Sequence, residues 1–497
     1  MLNIKKIKEL KQGNDLKSVF FSNKLNFNWS EYYYLVANNI KKLLKEQRIY
    51  RNINRVIVVS ENSWQTFILY SILTSLGIPF SGIDYTQTEN IYFENIKNSE
   101  SNFIFYSEKY KPSQNFEKIL KENDINFLQI EDTITFQTGT KGLENIEELI
   151  DEFKSARVKD ISSFSFTSGT SGVPKVIYRD AGFDDVRIPI LTKLYNFNDS
   201  DIFLASLPFY HVSVTGWIRL SLLNIGAIVI ADIENPSDLY FKLSKFNITT
   251  TLFTPPTLKK IVNIHLQEKE KINLRFIMVG GKTFPEVLKE QSISAFGPII
   301  HEYYGSSETG INTLISSAEY LQHPESSGKP MEGSEVLIVN QKHEKLKEGE
   351  IGRIAIHSFQ NATGYIHKTL ERATIDGKDY ILTSDFGKII DNYIYVTQRS
   401  ITDYPNSNIN VFSLENQIRL HQSIDDVAIL TNYNDISVYI SYDKDISKLK
   451  KIILKNSIFE SLKSQIPEDT KLFLNELENI NYSLSGKVKY FKLEENK

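Results

Sequence analysis

Two apolar patterns alternate along this chain, and the alternation predicts its architecture. Short, mostly apolar runs at Val56–Val59, Asn102–Tyr106, Ile228–Ile230, Thr250–Phe253 and Phe276–Val279 are each followed by turn or breaker residues. Such runs read as strands buried on both faces. Between them lie segments with helical spacing. After Val56–Val59, Asn62 and Ser63 offer a helix cap and Gly77 a stop before Ile78 and Pro79, which makes a strand-helix-strand unit. Repetition of such units predicts a mainly parallel sheet in an α/β fold. Residues 1–50 read as helical, with Ile4, Ile7 and Leu10 at helix spacing. Near the other end, Ser447 caps a predicted helix whose Leu449, Ile452 and Ile453 form one apolar stripe, with the lysines as a solvated face.

Composition narrows the class without naming a chemistry. A chain of 497 residues exceeds one ordinary core, and about 150 residues per domain predicts three or so packed units. Hydrophobic residues at 41% and charged residues at 24% are ordinary globular values, and a net charge of -4 gives no electrostatic reason to expect nucleic acid or an anionic membrane as partner. The absence of cysteine excludes disulfides, thiolate metal sites and a cysteine nucleophile, and it suits a cytoplasmic protein. The first residues carry lysines but no uninterrupted apolar stretch, so they do not read as a secretory signal. The most apolar segment, Trp64–Leu76, is interrupted by polar residues and falls short of the roughly 20 residues of a membrane span.

The candidate chemistry begins at Phe164–Lys175, where Thr167, Ser168, Gly169, Thr170, Ser171 and Gly172 precede Val173, Pro174 and Lys175. Glycines let backbone amides approach an anion, hydroxyls donate hydrogen bonds, and Lys175 supplies charge, so the segment reads as a phosphate-binding loop. The alternative is a solvated Ser/Gly loop between strands. It is not a Walker loop, because Val176 follows Lys175 where that motif needs Ser or Thr. Further segments follow in order. Leu207–Trp217 contains His211, which by composition alone reads more readily as a structural histidine. Gly280 and Gly281 follow a strand, and either form a plain turn or offer a flat surface to a ring. His301–Gly310 contains Tyr304, Gly305, Ser307 and Glu308; Thr383–Asp385 and Tyr393–Arg399 come next, then Ser485, Gly486 and Lys487.

Taken together, these segments resemble the signature motifs of the adenylate-forming superfamily, which includes acyl- and aryl-CoA synthetases, luciferases and the adenylation domains of peptide synthetases. The resemblance spans about residues 50 to 490 and is nearest to AMP-forming acyl-CoA ligases. It implies an α/β fold with a large N-terminal part over residues 1–398, built of two parallel-type sheets with helices and a β-rich subdomain. It also implies a hinge at 399–403 and a small, mobile α+β domain at 404–497. The segments Ser327–Pro330, Gly349–Ile356 and Gly364–Tyr365 resemble the β-rich scaffold. By the same resemblance, Thr167, Ser168, Gly169, Thr170, Ser171, Gly172 and Lys175 hold ATP phosphates, and Gly281, Tyr304, Gly305, Ser307, Asp385 and Arg399 complete the ATP/AMP site, with Tyr304, Asp385 and Arg399 on the nucleoside and Ser307 on the phosphate. Glu308 ligates Mg²⁺, while Lys487, Thr170 and His211 are catalytic. At the hinge the chain has Gln398, Ile401 and Asn408 where relatives have Gly, an Asp or Lys pivot, and Gly; Glu415 and Ile418 stay in register with the family pattern.

The implied reaction joins a carboxylic acid to ATP, giving an acyl-adenylate that coenzyme A then attacks. Amino-acid-activating relatives carry an aspartate in the histidine segment, where this chain has Ser213 and Thr215. The expected substrate is therefore fatty-acid-like, without an α-amino group. Two other readings stay open: an adenylating enzyme that loads a separate phosphopantetheinyl carrier protein, and a nucleotide- or acyl-binding sensor without turnover.

Overall fold

The computed structural model describes residues 1–23, 25–45, 53–157, 161–167, 175–180, 182–281, 284–399, 410–421, 423–432, 435–443, 445–467, 470–482 and 488, with backbone alone at Arg399 and Asn432. The chain forms two compact units. One comprises Met1–Leu252, Glu270–Phe276 and Ala362–Thr369; the other comprises Phe253–Lys269, Ile277–Asn361 and Leu370–Lys497.

In the first unit, strands Phe80–Gly82, Val56–Val59, Phe103–Tyr106 and Asn126–Gln129 lie side by side in that order, all parallel. Val56, Ile57, Val58 and Val59 are all buried, as a central strand covered on both faces requires. The following helix, Trp64–Leu76, starts where the Ser63 side chain accepts the Thr66 N–H and ends at Gly77, whose φ of 64° is left-handed. A second set of strands runs in the order Asn26–Asn28, Ser18–Phe21, Ala227–Ile230, Ile202–Ala205 and Thr250–Phe253, parallel except for the first pair. A third, antiparallel set joins Ser163–Thr167, Lys175–Arg179 and Gly364–Tyr365.

The N-terminal segment departs from its all-helical reading. Helices Ile4–Lys11 and Trp29–Lys45 form, and Ile4 and Ile7 are buried, but the strand pair Ser18–Phe21 and Asn26–Asn28 lies between them. The reason is tertiary. Phe20 stacks on Phe27 with ring centroids 4.7 Å apart and pairs in parallel with Ile228, so a strand partner more than 200 residues away fixes the conformation.

In the second unit, residues 277–279 run parallel to Ile300–Ser306, which turns back into Gly310–Ser316, and that strand pairs with Lys329–Pro330. A five-stranded antiparallel sheet follows, from Ser334–Val339, Gly352–Ser358, Lys378–Ile390, Arg372–Ile375 and Tyr393–Arg399. Its two faces bury separate clusters, Leu337, Val339, Ala355 and Leu382 on one and Val336, Ile338, Ile354 and Ile394 on the other. The C-terminal part of this unit packs helices Val411–Arg419 and Lys448–Lys463 on the sheet Ile424–Asn432, Asp435–Tyr442 and Lys471–Leu477.

Here a second expectation is corrected. Leu449, Ile452 and Ile453 are 69%, 58% and 61% exposed, whereas Ile458 and Leu462, with Leu454, face the core. Two apolar stripes with the same helical spacing run along Lys448–Lys463, and a three-stranded sheet covers only one face of a helix. Among the described residues, no helix is long and apolar enough to cross a membrane.

Candidate active site

The ends of the phosphate-loop segment are held across an antiparallel pair, with Thr167 opposite Lys175. Thr167 is buried, and the Lys175 ammonium stands 5.4 Å from the centre of the Tyr365 ring, a cation–π contact that fixes where its charge is carried. Ser168, Gly169, Thr170, Ser171 and Gly172 lie outside the described residues.

His211 caps the helix Val212–Leu223, its Nδ1 accepting the Ser213 N–H at 3.3 Å. An Nδ1 that accepts a main-chain hydrogen leaves the proton of a neutral ring on Nε2, so His211 in this arrangement offers a donor at Nε2. The turn leading to it is braced from a distance. The Asn62 side chain donates to the Leu207 carbonyl at 2.8 Å and accepts the Phe209 N–H at 2.7 Å. Sequence reasoning took Asn62 only as a possible helix cap, and Ser63 alone has that role.

In the second unit, the strand-end glycines and the tyrosine segment meet. A Cβ on Gly280 would come within 2.2 Å of the Tyr303 ring, so the ring packs where a side chain at 280 would stand, while Gly281 has a φ of 85°. Tyr304, the next residue of the same strand, donates its hydroxyl to Asp385 Oδ2 at 2.8 Å. Asp385 is itself anchored: Thr383 Oγ1 accepts the Asp385 N–H at 3.1 Å and donates to the Ile354 carbonyl at 2.9 Å. Asp385 pairs in register with Arg399, of which only the backbone is described. Gln398, beside it, is 1% exposed, and its amide nitrogen has no hydrogen-bond partner among the described residues.

Gly305, Ser307 and Glu308 lie at the tip of the hairpin between Ile300–Ser306 and Gly310–Ser316. Its turn is built from hydroxyls. Ser306 Oγ accepts the N–H groups of Glu308 and Thr309, each at 3.2 Å, and meets Thr309 Oγ1 at 3.0 Å. The buried Asn312 side chain donates to Thr309 Oγ1 at 2.7 Å. The strands approach so closely that a Cβ on Gly305 would lie 2.0 Å from the Gly310 carbonyl oxygen. The Glu308 carboxylate, partly exposed at this tip, is a hard oxygen donor, and the neighbouring Ser307 hydroxyl adds a second oxygen to the same turn. That set fits Mg²⁺, which takes one or two protein carboxylates and completes its shell from phosphate and water.

The structure therefore brings Tyr304, Asp385 and the Arg399 backbone together, next to the turn that bears Ser307 and Glu308. Lys487, Ile401 and Asn408 lie outside the described residues, although Val488 forms a β-bridge with Tyr482. The sequence reading missed the bracing role of Asn62, the packing of Tyr303 and the fully buried Gln360. No local signal marks these residues, whose importance lies in contacts across the fold.

Comparison with known proteins bears on the site's identity. The profile of the family described as "AMP-binding enzyme" matches residues 17–366. The chain is 21% identical over 429 residues to the 2-succinylbenzoate--CoA ligase of Oceanobacillus iheyensis, covering 85% of this chain and 84% of that one. It is 26% identical over 364 residues to the putative long chain fatty acid-CoA ligase VraA of Staphylococcus aureus, covering 70% and 75%. In fold it is similar to the amide bond synthetase McbA of Marinactinospora thermotolerans, with a TM-score of 0.80, 14% identity and coverage of 99% and 98%.

Proposed function

Since this chain belongs to the AMP-binding enzyme family, we propose that it is an AMP-forming ligase, activating a carboxylic acid without an α-amino group and passing the acyl group to coenzyme A. In the first step a carboxylate oxygen attacks the α-phosphorus of ATP and pyrophosphate leaves. In the second, a thiolate attacks the acyl carbonyl and AMP leaves. The observation that carries this reading is the Tyr304–Asp385 hydrogen bond, 2.8 Å long, next to the Glu308 turn. It supports a nucleoside site in which Asp385 accepts ribose hydroxyls and the Tyr304 ring stacks on the base.

The protein's part is positioning and charge neutralisation. Lys175 and the hydroxyls of Thr167, Ser168, Thr170 and Ser171 bind the β- and γ-phosphates, with the Gly169 and Gly172 backbone close by, and Gly281 and Gly305 admit the nucleotide against bare backbone. Ser307 contacts the α-phosphate, Arg399 the ribose, and Lys487 bridges substrate carboxylate and α-phosphate as two anions converge. Glu308 would hold Mg²⁺, which when bound neutralises phosphate charge. His211, its proton on Nε2, donates toward the acyl carbonyl oxygen. The 404–497 part turns about 399–403 between the two steps.

The relatives' names specify 2-succinylbenzoate, an aryl acid, for the Oceanobacillus protein and, as a putative activity, a long-chain fatty acid for the Staphylococcus protein. Aryl acids therefore join fatty acids in the expected substrate class. The test is pyrophosphate exchange over a panel of aryl, fatty and amino acids, followed by thioester detection with coenzyme A. Exchange with aryl or fatty acids and thioester formation are expected. Exchange only with amino acids would overturn the reading, because a pocket without a counter-charge excludes a buried ammonium.

A further inference from the structure

The Glu308 turn is tied down by a residue that no motif marks. Gln360 follows the strand Gly352–Ser358 and is fully buried. Its amide grips one residue of the hairpin from both sides: Ile311 N–H donates to Gln360 Oε1 at 3.2 Å, and Gln360 Nε2 donates to the Ile311 carbonyl at 2.6 Å. Gln360 is held in turn, its own N–H donating to Ser358 Oγ at 3.2 Å. The paired donor and acceptor reproduce what a neighbouring strand would offer, on a side chain reaching across 49 positions of sequence.

Gly310 completes the device. Its φ is 72°, the left-handed conformation that closes a three-residue hairpin loop, and a Cβ there would meet Gln360 Oε1 at 2.6 Å and Gln360 Cβ at 2.7 Å. A side chain at 310 is thus excluded twice, by the backbone and by the clamp. Across the hairpin, Gly305 pairs with Ile311, and Asn312 is an extra residue opposite the step from Tyr304 to Gly305. Such a bulge bends its strand and re-aims the side chains beside it. Gln360 grips the chain at Ile311, immediately before the bulge and three residues after Glu308, so it determines how far the turn projects.

We propose that Gln360 is a positioning residue for the Glu308 carboxylate, acting through Ile311 and Gly310, and that it sets the enzyme's affinity for the divalent cation that accompanies ATP. The proposal rests on the reading of Glu308 as the metal carboxylate. Partners one shell removed from a metal ligand typically alter metal affinity or activity about 10- to 100-fold. Gln360→Met keeps length and volume while removing both hydrogen bonds, and Gln360→Glu keeps the acceptor and removes the donor.

The experiment compares wild type, Gln360→Met, Gln360→Glu and Glu308→Gln. For each, Mn²⁺ binding in the presence of a non-hydrolysable ATP analogue is titrated by electron paramagnetic resonance. AMP affinity without metal and the Mg²⁺ dependence of pyrophosphate exchange are measured alongside. The expected result is a roughly tenfold weaker metal affinity in Gln360→Met, partly restored in exchange assays by excess Mg²⁺, with metal-free AMP affinity within about twofold of wild type. If Gln360→Met does not fold, Gln360→Glu decides on the same criteria. Metal affinity unchanged in the folded Gln360 variant while Glu308→Gln weakens it overturns the clamp and leaves the Glu308 reading intact. Metal affinity unchanged in Glu308→Gln overturns both. Equal losses of metal-free AMP and metal binding show general distortion and also overturn the proposal.

Discussion

Tyr304 carries two separable contributions, a ring face and a hydroxyl donated to Asp385 at 2.8 Å. Tyr304→Phe keeps the first and removes the second, leaving the carboxylate without one of its orienting donors. AMP affinity by calorimetry should fall about three- to tenfold, in line with roughly 1 kcal/mol for a hydrogen bond to a charged group in a partly exposed site. Tyr304→Ala should lose more, and equal losses in the two variants would mean that the ring contributes nothing. Lys487 is tested by a different contrast. Lys487→Ala should slow acyl-adenylate formation about 10²- to 10³-fold while leaving thiolysis of a supplied acyl-adenylate nearly intact, because its charge is needed only while two anions converge. Exchange activity retained within a few-fold would make it a surface lysine.

At the scale of elements, the hairpin Ile300–Ser306 and Gly310–Ser316 joins Tyr304 to the Glu308 turn, and its first strand carries ionisable groups, the half-buried His301 and the buried Glu302. Burial pushes the His301 imidazole down to about 4, against a weaker opposing pull from Glu319. The next residue, Glu302, is pushed up by burial, with the Lys289 ammonium 2.7 Å away acting against the shift. For His301 the unfolded chain binds the proton between pH 6.5 and 4 while the folded chain does not. Its contribution to stability is therefore complete above pH 6.5 and is lost as pH falls toward 4. Glu302 has the opposite sign, its stabilisation being present at low pH and lost as pH rises through its elevated value. The His301→Gln difference isolates the first effect: stability measured by urea unfolding at pH 7, 5.5 and 4.5 should fall less steeply in the variant, by at most about 3 kcal/mol over the range. Parallel curves for the two proteins would show that the imidazole titrates normally. The helix Lys448–Lys463 teaches a related lesson, since spacing identified an apolar stripe and packing chose the other one.

At the scale of the whole molecule, the activity proposed has two half-reactions, and the departures from the family pattern concentrate where they are joined. On the proposed reading the hinge lies at 399–403, and Gln398, Ile401 and Asn408 stand where the resemblance leads one to expect Gly, an Asp or Lys pivot, and Gly; among the described residues, Gln398 has a buried amide nitrogen without a hydrogen-bond partner. The expected consequence of a stiffer hinge is a selectively slower second step. In single turnovers with a labelled acid, ATP and coenzyme A, acyl-adenylate should accumulate ahead of thioester; thioester appearing as fast as adenylate forms would show that the substitutions do not limit turnover. The strand runs around Val56, Phe103, Ile228, Thr251 and Phe276 and the Ser63 and Gly77 ends of a helix were legible in the sequence. Each depends on neighbours within a few residues: dihedral preference, a cap, or a run of apolar side chains long enough to cross a buried sheet. Other features are contacts whose partners are far apart in the chain, by 81 positions for Tyr304 and Asp385, 145 for Asn62 and Leu207, and 49 for Gln360 and Ile311. The same holds for Phe20, turned from a helical expectation into a strand by Ile228. Local sequence carries the chemical groups and the geometry each favours, whereas folding settles which of them meet, because a long-range contact depends on the whole fold closing and leaves no local periodicity to read.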